Sequence, residues 1–129
     1  MLEDDKNAVV KYLINGISNG VNNLQYRFYQ WGEITGPIGN DFKVEYKGKG
    51  NCTGLEKLQG LIDKNDALLF ISDGNINSDE IKKIKELSET IITIFIGVDA
   101  NKSHLKRIST NTSVYSVVDF MQALIDTQK

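Results

Sequence analysis

The sequence predicts an α/β domain of three layers, α/β/α, around a mostly parallel, doubly wound sheet with one antiparallel edge strand. Three observations predict it. Strand-like and helix-like patterns alternate from end to end of the 129 residues, the order that right-handed crossovers and a parallel sheet require. Two runs, Ala67–Ser72 and Ile91–Val98, are almost continuously apolar, as strands buried on both faces inside such a sheet are. An aromatic run and a second short strand, joined through turn residues, supply the antiparallel pair.

Each element has its own justification. Residues Ala8 to Ile17 set Val9, Val10, Leu13, Ile14 and Ile17 on one helical face, and Gly16 and Gly20 loosen the end. Leu24 to Ile34 carries Tyr26, Phe28, Tyr29 and Trp31, a strand-prone set. Gly36-Pro37 and Gly39-Asn40 punctuate it, and Phe42 to Tyr46 reads as the returning strand. After the loop Gly48–Cys52 comes a helix from Thr53 to about Ile62, then the Ala67–Ser72 strand, expected in the interior of the sheet. A helix from Ser78 to about Ser88 follows, with Ile81, Ile84 and Leu87 at helical spacing, and Ile91–Val98 is the next strand. Asn101–Ile108 is a short helix, Val114–Val118 the last strand, and Asp119–Ile125 the closing helix. Thr53-x-x-Glu56 and Asp119-x-x-Gln122 fit reciprocal helix caps, and Ser78 precedes the acidic turn Asp79-Glu80.

One domain, residues 1–129, accounts for this length. Net charge is −2, so no overall basic field draws the chain to nucleic acid or to anionic lipid. No apolar stretch approaches the about 20 residues that cross a bilayer, and the acidic start is not a signal peptide. A single cysteine, Cys52, forms no internal disulfide, which fits a reducing, cytoplasmic compartment. Neither nucleic acid nor a membrane is therefore expected as a partner.

Asp73 is the first candidate for function. It stands where the Ala67–Ser72 strand ends, and ligands of open α/β sheets bind at carboxyl ends; Asp-Gly is equally a turn signal. Thr53 reads as a helix cap or as an oxygen ligand. Gly48-Lys49-Gly50-Asn51-Cys52-Thr53-Gly54 lacks the Gly-Lys-Ser/Thr ending of a nucleotide loop and reads as an ordinary loop. His104 lies in a polar helix with no nucleophile placed beside it. No catalytic constellation emerges, and a non-enzymatic role is expected.

Taken together, Leu68–Gly74, Ile94–Val98, Leu105–Ile108 and Val114–Phe120 through Leu124 resemble a von Willebrand factor type A (vWA) domain, with Gly50-Asn51-Cys52-Thr53-Gly54-Leu55 matching further upstream. The resemblance spans about residues 8 to 126. It implies a protein-interaction module with a metal-ion-dependent adhesion site holding a divalent cation, usually magnesium, at the carboxyl end of the sheet. Carried onto this chain, the ligands would be Asp73 and Thr53, with Asp4 or Asp5 contributing. The family's Asp-x-Ser-x-Ser motif is missing: Asp4-Asp5-Lys6-Asn7-Ala8 puts Lys6 and Ala8 where hydroxyls belong. The site is thus expected to be degraded or partial, and residues 48–54, 73–77 and 99–103 to form the contact surface.

The family's first strand is central, between the aromatic strand and Ala67–Ser72. Only Met1, Leu2 and Glu3 precede the acidic cluster, too few for a strand of about five residues, so this strand is expected to be short or missing. The sheet then closes over the gap, takes a strand from another chain (homo-oligomers by strand exchange included), or is completed in an obligate assembly. A second resemblance, of Met1–Lys6 to the acidic pocket of a response-regulator receiver domain, would make Asp73 a phosphoacceptor. That family's lysine after the fifth strand is absent here.

Overall fold

The structure is a computed structural model that describes residues 3–20, 27–31, 35–38 and 51–128. Its first element is helix α1, Glu3–Gly20. It starts five residues before the expected Ala8, because the acidic residues Glu3, Asp4 and Asp5 suit the positive end of a helix. Strand β1, Tyr29–Gln30, pairs antiparallel with β2, Gly36–Pro37. The antiparallel pair is therefore present with a different second strand. Gly36 and Pro37, expected as turn residues, carry it, and the Ile38 N–H extends it by donating to Phe28 O at 2.8 Å. The expected Phe42–Tyr46 strand lies outside the described residues.

From here the chain alternates helix and strand: α2, Cys52–Leu61; β3, Leu68–Ser72; α3, Ser78–Lys85; β4, Ile91–Phe95; α4, Lys102–Ile108; β5, Val114–Tyr115; and α5, Phe120–Thr127. A 3₁₀ turn, Val117–Asp119, joins the last two. Strands β3, β4 and β5 form a parallel sheet in that order, with Leu68 opposite Ile91 and Thr93 opposite Val114. The chain is thus an α/β protein with a three-stranded parallel sheet among its described residues.

Burial corrects one expectation. β4 is the interior strand, its first four residues buried, whereas all five residues of β3 are only half-buried. Among the described residues β3 pairs with β4 alone and forms one border of the three-stranded sheet. A continuous apolar run reports two covered faces, and says nothing of whether both edges are paired.

The core divides between the two faces of the sheet. On one, Leu55 and Leu58 of α2, Ile81 and Ile84 of α3, and Leu105 and Ile108 of α4 pack with Ile91. On the other, Leu13 of α1 and Ala123 of α5 pack with Ile92 and Ile94, while Val10 and Ile14 pack with Ile96. Each such aliphatic side chain contributes about 1.5–3 kcal/mol by leaving water.

Helix starts use asparagine where the sequence suggested its neighbours. Asn51, not Thr53, caps α2, its side chain accepting from the Gly54 N–H at 2.7 Å. Asn77, not Ser78, caps α3 in a reciprocal box: its Oδ1 accepts from the Glu80 N–H and its own N–H donates to Glu80 Oε1, both at 2.9 Å. Asp119 stands at the cap position of α5, but its carboxylate accepts from Ser116 Oγ rather than from the helix. Among the described residues no helix is long and apolar enough to cross a membrane.

Candidate functional site

Because β3, β4 and β5 are parallel, the loops after them leave from one edge of the sheet. Asp73 follows β3, Val98 follows β4, and Val118 follows β5. Helix α2 precedes β3 and returns against it, so its start and Thr53 belong to this same end.

The β3 loop is held by a small set of hydrogen bonds. Ser72 Oγ accepts from the Gly74 N–H at 3.0 Å, and Asp73 Oδ1 accepts from the Asn75 N–H at 2.9 Å. The second is the local carboxylate-to-backbone turn that aspartate favours. Across the edge, the Asn101 N–H donates to Asp73 O at 2.7 Å. His104 Nδ1 lies 2.9 Å from Gly74 O; a carbonyl only accepts, so this ring nitrogen carries the proton. Asn101 also caps α4, its Oδ1 accepting from the His104 N–H at 3.3 Å and from Ser103 Oγ at 2.8 Å. One asparagine and one histidine thus tie the β3 loop to the start of α4.

Gly74 is required by this closeness. Its φ is +77°, and a Cβ there would lie 2.3 Å from Asn101 O. No L side chain fits between these two backbones.

The three sequence-predicted ligands are distributed as follows. Asp73 is half-buried at the mouth of the edge. Thr53 is exposed in the first turn of α2. Asp4 is in the first turn of α1, and its side chain lies outside the described residues, as do residues 48–50 of the expected contact surface. Among the described residues no three His, Cys, Asp or Glu side chains gather as a metal group. Asp73 offers a carboxylate whose Oδ1 already serves the Asn75 amide, and Thr53 a neutral hydroxyl. This is a sparse donor set for a hard cation that prefers six oxygens.

Sequence reasoning missed the roles of His104 and Asn101. Their partners lie 30 and 28 positions away, and no spacing rule signals a bond between two loops. It also missed what the edge exposes: Val98 is 98% and Val118 82% accessible. At the start of α4, Lys102 Nζ stands 4.3 Å from the centre of the Phe95 ring, a cation–π contact that leaves the ammonium at the surface. Compared with protein-family models, with curated proteins and with solved structures, the chain matches none.

Proposed function

We propose that the chain is a non-enzymatic protein-interaction module with the three-layer architecture of a vWA domain, binding its partner at the carboxyl edge of the sheet. The observation that carries this reading is the near-complete exposure of Val98 and Val118 on loops that leave the same edge. Two β-branched apolar side chains in water lose nothing by desolvation and gain on contact, at about 25 cal/mol per Å² covered. Asp73, half-buried beside them, adds a negative charge that selects the partner's polarity.

The same reading gives the edge a partial divalent-cation site. Asp73 would hold magnesium, with Thr53 and Asp4 assisting and water or a partner's carboxylate completing the shell. Two measurements test the two parts separately. Magnesium or manganese should raise the melting temperature of the wild type and leave Asp73→Ala unmoved; no shift in the wild type removes the cation. The double variant Val98→Asp, Val118→Asp should keep the wild-type melting temperature and lose capture of a protein partner by the immobilised chain. Equal capture by both proteins would remove this surface.

A further inference from the structure

The described part of the β layer is interrupted. β1–β2 and β3–β4–β5 are two separate hydrogen-bonded sets, yet both lie between the same helices. Phe28 beside β1 and Ile71 of β3 pack with Val10 and Ile14 of α1. Tyr29 and Trp31, on the other side of the same extended segment, pack with Phe70 of β3 and with Leu55 and Leu58 of α2. Trp31 reaches across, its ring centre 6.2 Å from that of Phe70, while its Nε1–H donates to Asn51 O at 2.9 Å. Between the two sets runs a groove of about 670 Å³, bounded by β1, β3, α1, α2 and the end of α5.

Among the described residues, no strand pairs with the side of β3 that faces this groove. The Leu68 N–H donates to Thr90 O, and Ser72 O accepts from the Ile96 N–H, so residues 68, 70 and 72 direct their peptide groups at β4. By the alternation of a parallel ladder, Leu69 and Ile71 direct theirs the other way, into the groove. No described strand stands there.

The groove runs along all five residues of β3, ~17 Å of extended backbone, and a segment that pairs there is about that long. Helices cover both of its faces, Ile14 from one and Leu58 from the other. An occupant therefore needs apolar side chains at successive positions, like β4 on the opposite side of β3.

We infer that this groove is a strand-acceptor site, and that its ligand is one extended, uncharged, β-branched apolar segment of about five residues from a partner polypeptide, hydrogen-bonded to Leu69 and Ile71 of β3. Main-chain pairing supplies the affinity and the two apolar walls supply the selection, as in strand addition generally. The site is separate from the carboxyl-edge loops and does not depend on them.

The test reads the amide exchange of Leu69 and Ile71 by NMR in the intact chain, with a synthetic peptide of alternating isoleucine and valine, lysine-capped at both ends for solubility. The expected result is exchange about tenfold slower at these two amides, with those of Phe70 and Ile94 unchanged. The same peptide with every backbone amide methylated should have no effect. Three results overturn the inference. One is unchanged exchange at saturating peptide. Another is equal slowing by the methylated peptide, which would mean apolar filling without pairing. The third is protection already present without peptide: rising with protein concentration it names a second copy as the occupant, and independent of concentration it names a segment of the chain itself.

Discussion

Two atoms at the carboxyl edge carry an unusual share of its geometry: the absent Cβ of Gly74 and the Nδ1 of His104. Gly74→Ala forces an L side chain into φ +77° against Asn101 O, which costs about 1–2 kcal/mol for the conformation alone and more for the clash. The denaturant midpoint should fall by at least that equivalent with an unchanged slope, since the unfolded chain is barely altered. At the end of the sheet's last strand, the Tyr115 hydroxyl donates to Asp126 Oδ2. This bond, helped by burial, raises the tyrosine above its ordinary value of 10.0. A group whose folded pKa is raised contributes its stability in full below the unfolded pKa and loses it as pH climbs through the folded one. Stability should therefore decline above about pH 10 in the wild type, and that part of the decline should vanish in Tyr115→Phe. Urea melts between pH 8 and pH 11 separate the two proteins. Neither Gly74 nor Tyr115 announced its role in the sequence. The Asp-Gly pair signalled a turn, which is correct, but the second backbone that excludes a Cβ comes from a loop 27 residues further on.

At the scale of the element, α3 is held at its start by Asn77 and Glu80 acting on each other's backbone amides. Glu80 is only 2% accessible, so its carboxylate is desolvated and that reciprocal bond matters more than on an open surface. Asn77→Ala should lower stability by about 1–2 kcal/mol, read as a drop in melting temperature, and Asn77→Asp should restore most of it. The helices and strands themselves were legible because periodicity is local: β4 and α4 begin within a residue of expectation. Caps were less so, because Asn51 and Asn77 compete with Thr53 and Ser78, residues of similar capping power one or two positions away. The pairing of β1 with Gly36–Pro37 was hidden for a different reason. A glycine followed by a proline reads as a break, yet Pro37 is exposed and needs no N–H on an outer strand.

For the whole molecule, the decisive contrast is between β4, sealed among Ile84, Ile108 and Ala123 on its two faces, and β3, paired along one edge only among the described residues. Local pattern reports what covers a strand's faces and not what flanks it, so the place of β3 in the sheet was beyond reach from Leu68–Ser72 alone. The candidate ligands shared that limit. Asp73 was legible as the residue after a strand; its relation to Asn101 and His104 depends on how β3 and β4 lie side by side. The border of β3 also has a practical side. Trp31 is the single tryptophan of the chain, and it stands on the wall of the groove, half in water, with Phe70 beneath it. Its fluorescence is a built-in reporter: any molecule that fills the cleft dries the indole and moves its emission to the blue, so occupancy can be followed optically without a label.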